Sequence, residues 1–496
     1  MRPEPSPTSL TPSSEVDDAA FGEALALSEG LFAHQVEGIA FLLARRRAIL
    51  ADDMGLGKTR QSIVSLRHAE PEGPYLVICP ASVKLNWKRE IREVHPEAPC
   101  EILHGKDGGN LPRDFAGWAI VNYDLLGKRI TELNALSWKG IVFDEAHYLK
   151  NYRSQRSRHA RSLALEGGSD PVVHALTGTP LTNRPRDLFP LLQLVRHPLG
   201  RSFLSFAKRY CNAVQNDYGW ITDGASNLEE LTLQLHGIMI RRRKEEVLDL
   251  PPKLRSWLEV PVPEGTATAE MREVLESLFL ARAGQETPPA HDGPPTGGDR
   301  NRVRLLAKLT KAREKLAAAK VKSTINLLED VIEQGEKAIV FSCFDRPVQA
   351  IAKHFGEQCV VLTGKTPTAK RQGLVDRFQD DDGPRLFVAN IVAGGVGINL
   401  TAARQVVFND LDWVPANHWQ AEDRAYRIGQ AAAVNVHYLV ARGTVDEFVR
   451  NVLEVKSALA EAVVDGGALS PAATRDVLAE LEGMVDRISA NLADSG

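Results

Sequence analysis

Cysteine is scarce in this chain of 496 residues: there are 5, at positions 79, 100, 211, 343 and 359, and no two stand in C-x-x-C spacing. That scarcity argues against a disulfide framework or a zinc site and points to a reducing compartment. Long apolar runs are missing too. The best candidate, Gly38 to Leu43, is cut off by Arg45-Arg46-Arg47, well short of membrane-spanning length. Net charge is small, with Lys+Arg 60 against Asp+Glu 64 giving −4 and a pI near 6.4. A chain so balanced is not a general nucleic-acid sponge, so any positive surface must be local. Candidates are Arg45 to Arg47, the set Lys150, Arg153, Arg156, Arg158 and Arg161, and Arg241 to Lys244. If they bind nucleic acid they are expected to line one continuous groove; each alone also reads as a solvated face.

What is present fits a globular protein. Hydrophobic residues make up 43% and charged residues 25%, and the length exceeds one ordinary core, so two or three domains are expected. The opening stretch is rich in Pro, Ser and Thr, without an apolar secretion segment, and reads as a disordered tail over 1–28.

The chain is organised around Ile49-Leu-Ala-Asp-Asp-Met-Gly-Leu-Gly-Lys58-Thr59. An apolar run leads into a glycine-bearing loop, and Gly57-Lys58-Thr59 runs into a helical pattern. This is the strand–loop–helix setting in which backbone N–H groups and a helix N-terminus face a phosphate. There the lysine reaches the β/γ-phosphates and the threonine hydroxyl takes Mg²⁺. The generic pattern wants glycine where this chain has Asp52, so a plain Gly-rich turn before a surface helix stays open at this point.

Downstream, short apolar runs alternate with helical patterns. Tyr75 to Pro80, Trp118 to Asn122, Gly140 to Phe143 and Val172 to Leu176 read as core strands, with helices over Leu31 to Arg45, Lys58 to His68 and Ser82 to Val94. Such alternation predicts a parallel sheet whose strand carboxyl ends carry the ligand loops. From Pro185 to Glu246 the pattern turns mostly helical. After a strand-like Arg255 to Val260 and a breaker-rich loop at 285–298, a second alternating series follows. The expected class is α/β: two parallel-sheet lobes, with a helical insertion on the first and a C-terminal helix. The expected bounds are 29–252 for lobe 1 with its protrusion at about 185–250, 253–300 for a connector, 301–465 for lobe 2 and 466–496 for the last helix.

Two further groups carry chemistry. Asp144-Glu145 ends a core strand; the aspartate is placed to hold Mg²⁺ and the glutamate to polarise an attacking water. A lone strand-terminal acidic turn is the bland reading. Arg424 and Arg427, three apart in a helical pattern from Asn417 to Tyr426, share one face and suit a charge-stabilising role, or else a surface salt-bridge face.

The motifs stand in a recognisable order. They are His34-Gln35, Asp52 to Thr59, Pro80 to Trp87, Asp144 to His147, Leu176 to Pro180, Val340 to Ser342, Ala393 to Thr401 and Gln420 to Gln430. Together they resemble a helicase superfamily-two motor of the Swi/Snf type, built on two RecA-like lobes, over Leu31 to Ala462. In that family Asp52 is the normal residue, while Tyr426 is usually histidine. Leu50 to Met54, Arg209 to Asn212, Gly224 to Leu231 and Val436 to Thr444 further resemble the annealing-helicase (HARP-like) subgroup.

The resemblance implies a DNA-stimulated ATPase moving on double-stranded DNA without processive strand separation, using ATP and Mg²⁺. It implies Gln35 as the adenine reader, Asp53, Met54, Gly55, Leu56, Gly57, Lys58 and Thr59 as the nucleotide loop, and Gly397 on the second lobe. Lys58, Asp144, Glu145, Arg424 and Arg427 would carry catalysis, Arg427 being the arginine finger, and Thr59 and Asp144 the metal. Ser82, Asn86, Trp87, Thr177, Ser342, Gly395, Asn399 and Thr401 would lie along the DNA backbone. Thr177, Gly178 and Thr179 would couple the two sites. A monomer without membrane association, working in a prokaryotic cytoplasm beside the nucleoid with protein partners in a repair or defence assembly, completes the expectation. A strand-separating DNA or RNA helicase and a non-hydrolysing clamp or scaffold are the rivals; no wedge hairpin with an aromatic tip is evident in the sequence.

Overall fold

The apolar runs become strands of two separate parallel sheets in the computed structural model. It describes residues 17–105, 111–166, 170–178, 184–216, 219–222, 224–263, 297–394, 398–412, 414–442, 444–447, 449–450 and 453; side chains at 297–309, 368–369 and 393–394 are left aside. Residues 1–16 of the expected tail, most of the loop at 285–298, the helix expected at 266–282, Thr179, Pro180, Gly395, Gly397 and the C-terminal helix lie outside the described residues. The rest of the expected disordered tail is instead a helix, Asp18–Ala26, capped by Asp17 and burying Ala20, Phe21 and Ala24. The chain forms two compact units, dividing between Asp249 and Leu250 except that Gln215–Ile221 group with the second.

The first unit holds β1 (Arg47–Leu50), β2 (Tyr75–Cys79), β3 (Cys100–Ile102), β4 (Trp118–Asn122), β5 (Gly140–Asp144) and β6 (Val172–Leu176). The short strand β9 (Met239–Ile240) completes it; before β9 in the chain stands a two-stranded hairpin, β7 (Val214–Asn216) and β8 (Gly219–Ile221), whose residues Gln215–Ile221 group with the second unit. The seven-stranded sheet has the order β3-β4-β2-β5-β6-β1-β9, with every pair parallel. All five residues of β2, β4 and β6 are buried, as helices on both faces of a parallel sheet require. Because the strands share one direction, Leu50, Cys79, Asp144, Leu176 and Ile240 all end on the same rim. The segment from 185 is helical as expected at Phe189–Leu194, Phe203–Tyr210, Leu228–Leu235 and Lys244–Val247. Strand β9 and the hairpin were not legible; two and three residues are too short to show a period.

Strand direction also overturns the single arginine groove. Arg45 to Arg47 lie where β1 begins, on the rim opposite the phosphate loop. Arg45 stacks on Phe41, and Arg47 is tied to the carbonyls of Ala164 and Leu194 and to Asp170. Arg241 and Arg242 follow β9 and sit on the other rim. Arg156 reaches Asp124 at 2.5 Å, and Arg161 reaches Gln193. These arginines serve different neighbours on different faces.

In the second unit, β10 (Lys253–Val260), β11 (Ala338–Ser342), β12 (Cys359–Leu362), β13 (Leu386–Asn390), β14 (Gln405–Phe408) and β15 (Val434–Ala441) form a parallel sheet of order β10-β15-β14-β11-β13-β12. The stretch expected to open a connector is thus the edge strand of this sheet, paired with β15 over eight positions. Its Lys253 and Arg255 meet the fully buried Glu422 at 2.9 and 2.7 Å. The Tyr438 hydroxyl donates to the same carboxylate. Burial alone would raise the Glu422 pKa, but these two cations hold it well below the carboxylate range. Its pairing therefore stabilises the fold above the usual carboxylate pKa and is lost as pH falls towards the lowered value.

Replacing Glu422 by Gln leaves Lys253 and Arg255 without their counter-charge. The expected cost is about 3 kcal/mol, as for other broken buried pairs. Hydrogen exchange of the full chain should show lost protection in β10 and β15, with β2 and β4 of the other unit unchanged.

Candidate nucleotide site and polar surfaces

The loop after β1 turns because Gly55 and Gly57 take positive φ, 89° and 76°. Gly57 then caps the Lys58–Ala69 helix in the left-handed conformation. A Cβ at Gly57 would come within 2.1 Å of the Gln35 side-chain nitrogen, so glycine is also needed there for close approach. The Leu56 carbonyl lies near three side-chain nitrogens: His34 Nε2 at 3.1 Å, Gln35 Nε2 at 3.3 Å and Gln61 Nε2 at 3.1 Å. Burial, reinforced by the nearby Arg242 charge, lowers the His34 pKa. A neutral ring is therefore favoured, and its Nε2–H donates. Lys58 Nζ donates to the carbonyls of Asp52 at 2.6 Å and Asp53 at 3.0 Å, so the ammonium lies across the loop. Thr59, on the helix's first turn, is half-buried, as are Asp53 and Met54.

Gln35 differs from expectation. Its Oε1 accepts from the Phe32 amide at 3.1 Å and its Nε2 goes to Leu56, leaving it 5% exposed. Its amide braces the loop instead of presenting an edge to a base.

The acidic pair is built from below. Asp144 Oδ2 accepts from Trp87 Nε1 at 2.7 Å, its Oδ1 from the Glu145 amide at 3.0 Å, and its carbonyl from the Tyr123 hydroxyl at 2.8 Å. Trp87 is fully buried, which corrects its assignment to a DNA surface: its indole supports Asp144. Burial, and next the Glu145 charge, push the Asp144 carboxyl up to about 6. Glu145 has a left-handed backbone at φ 50°, an uncommon conformation for a residue with a side chain, and one that concentrates at functional turns. His147 Nδ1 lies 3.3 Å from Glu145 Oε2 and 3.5 Å from Thr177 Oγ1, linking the acidic pair to the end of β6. Thr177 is fully buried, so its coupling role is compatible with its place while direct DNA contact by its side chain is not.

These residues fit a magnesium nucleotide. A glycine-shaped loop opens a 12-residue helix, a lysine crosses the loop, and a buried carboxyl with a raised pKa is relieved by a nearby cation. Lys58 and Thr59 would hold phosphate and metal, and Asp144 the metal. Bound there, the ion would neutralise phosphate charge.

In the second unit the helix ends at Glu422, so Arg424 and Arg427 stand on the turns beyond it and not on one helical face. They still converge: each gives a guanidinium N–H to the Ile398 carbonyl, at 3.3 and 3.2 Å. Arg424 is buried and Arg427 half-exposed. Ser342, expected on a DNA surface, is instead 1% exposed and donates to Asp410 at 2.5 Å. Asn86 and Asn399 are exposed, Ser82 and Thr401 half-buried. The Thr401 hydroxyl accepts from Gln379 at 3.1 Å. Ser82 lies in a short 3-10 turn, makes no capping bond and leaves that position to Val83. What sequence reasoning missed is the set of supports: Trp87 and Tyr123 under Asp144, His147 between Glu145 and Thr177, and Arg242 under Asp52. The one visible signal was aspartate at a glycine position.

The raised Asp144 pKa has a sign. The folded chain holds its proton over pH ~4 to 6 while the unfolded chain does not, so this group costs stability as pH rises through that window. Asp144→Asn is therefore expected to keep or raise the melting temperature at pH 7 while abolishing ATP hydrolysis. Thermal unfolding and steady-state hydrolysis check both.

A family model described as SNF2-related domain matches residues 34–272, and one described as helicase conserved C-terminal domain matches 319–429. The chain is 36% identical over 440 residues to the SWI/SNF-related matrix-associated actin-dependent regulator of chromatin subfamily A-like protein 1 of Xenopus tropicalis, covering 87% of this chain and 44% of that one. It is 32% identical over 463 residues to the DNA annealing helicase and endonuclease ZRANB3 of Mus musculus, covering 90% and 42%. It thus spans less than half the length of these two relatives. A solved Sulfolobus solfataricus SWI2/SNF2 ATPase core in complex with dsDNA is 26% identical, with a TM-score of 0.42, covering 90% of this chain and 97% of that one. With an SNF2-related domain and a helicase conserved C-terminal domain matched in order, and the glycine-bearing loop and acidic pair on one rim of the first sheet, the chain belongs to the Swi/Snf-related, helicase-like family.

Proposed function

We propose that this chain hydrolyses ATP to translocate along double-stranded DNA without processive strand separation. The observation that carries the catalytic half is the rim of the first sheet, where the Lys58 loop follows β1 and the Trp87-supported Asp144–Glu145 pair ends β5, the two parallel strands flanking β6. Glu145 would polarise the attacking water, and Arg427, with Arg424 beside it on the Ile398 carbonyl, would supply the charge the γ-phosphate needs. Exposed Asn86 and Asn399, with half-buried Ser82 and Thr401, offer uncharged polar contacts of the kind that grip a backbone without reading bases. Rewinding of separated strands is the task one relative's name suggests for the motor.

One observation favours strand separation. The β7–β8 hairpin exposes Val214 at 55%, Trp220 at 38% and Ile221 at 43%, an apolar element that could part base pairs. The residues at its turn, 217 and 218, lie outside the described residues.

Steady-state hydrolysis with no nucleic acid, duplex DNA, single-stranded DNA and RNA separates these readings, with Glu145→Gln as the blank. Strong stimulation by duplex, lost in the blank, is the expected result. Equal stimulation by single strands or RNA, together with release of a labelled strand that Trp220→Ala abolishes, would replace translocation by unwinding.

A further inference from the structure

Asp52 stands where a generic phosphate loop has glycine, and its carboxylate is fully buried. A charge so placed is costly unless paired and hydrogen-bonded. The partner comes from 190 residues away: Arg242 Nε donates to Asp52 Oδ1 at 3.0 Å and Nη2 to Oδ2 at 2.5 Å. Nη2 also reaches Gln61 Oε1 at 3.1 Å, and Nη1 donates to the His34 carbonyl. Gln61 closes the ring, giving its amide to Asp52 Oδ2 at 3.3 Å and to the Leu56 carbonyl at 3.1 Å. Arg242 thus touches, directly or through one side chain, both ends of the loop.

The main chain repeats the connection. The ladder between β1 and β9 continues past Leu50 into the loop, with Ala51 N donating to the Ile240 carbonyl at 2.8 Å and Asp53 N to the Arg242 carbonyl at 3.0 Å. The neighbouring Arg241 gives Nη1 to the carbonyls of Ala51 at 3.2 Å and Gly178 at 3.3 Å. Room for the guanidinium is made by Gly38 on the Ala33–Leu43 helix: a Cβ there would lie 1.8 Å from Gln61 Oε1 and 2.5 Å from Arg242 Nη2. The Arg241–Lys244 run, which in sequence looks like a basic surface patch, is therefore built into the floor of the phosphate loop.

We propose that Arg242 is a positioning residue for nucleotide binding: its two-pronged pair with Asp52 sets the shape of the phosphate loop. Through β9 that shape is tied to the end of the helical insertion, so a shift of the Met239–Arg242 segment alters nucleotide affinity. The inference rests on the reading of the chain as an ATPase.

The test uses the full chain, with dissociation constants for a fluorescent ATP analogue, KM and kcat for ATP, and thermal unfolding. Arg242→Met leaves the buried carboxylate alone and should lower the melting temperature and weaken nucleotide binding. Asp52→Gly combined with Arg242→Met removes both charges and installs the generic glycine, so the melting temperature should recover. Nucleotide affinity should stay about tenfold weaker than the parent's, the equivalent of roughly 1.4 kcal/mol. Arg242→Lys keeps the charge without the fork and should raise KM more than it lowers kcat. If affinity returns with the melting temperature in the double variant, or if the Lys variant has the parent's KM, the pair is structural only and the proposal falls. A parent chain that binds no nucleotide would overturn the ATPase reading itself, and this inference with it.

Discussion

Asp52 carries a negative charge into the floor of the phosphate loop, where its side chain meets no water, and much of the first unit is arranged to answer it. The answering guanidinium must arrive from outside the local sequence, since the loop itself offers only Lys58, whose ammonium lies over backbone carbonyls. A strand placed at the sheet edge beside β1 delivers it, and a glycine on the Ala33–Leu43 helix admits it. Helix, loop and edge strand are thereby held in one geometry by a pair whose energetic weight lies in what its disruption costs.

The second unit solves a similar problem in a similar way. Glu422, fully buried beside the turns that bear Arg424 and Arg427, is answered by Lys253 and Arg255 of the edge strand β10. The two edge strands, β9 and β10, are consecutive in the chain, so residues 239–260 supply the counter-charges beneath functional motifs of both sheets. Neither contribution is a surface charge in search of a phosphate. In each, the positive group is paired with a fully buried carboxylate.

Burial also explains why the acidic pair sits where it does. Asp144 is held by an indole N–H and by the next residue's amide, and Tyr123 holds its carbonyl, so the carboxylate has one orientation before any ligand arrives. Low dielectric and the Glu145 charge leave it short of positive charge, which favours a cation beside it. The left-handed Glu145 backbone places strain at the same turn, directly after the braced Asp144.

By itself the sequence determined the class of fold, the glycine-bearing strand–loop–helix at Leu50 to Lys58 and the acidic pair at the end of β5, because these depend on local order: apolar runs of strand length, glycines at fixed offsets, acids at a strand's end. Gly57 before Lys58 and Asp144 after Phe143 carry their meaning within a few residues. Only the tertiary structure decided what stands behind them. Trp87 and Ser342 read as surface contacts and are buried, Gln35 braces a carbonyl, and Arg45 to Arg47 and Arg241 to Arg242 belong to opposite rims. The physical reason is that a side chain's partner is set by strand order and direction, which bring residue 242 to residue 52 and residue 87 to residue 144. Nothing in the local pattern of a charged or aromatic residue records whether the space it points into holds water, a carboxylate or a backbone carbonyl.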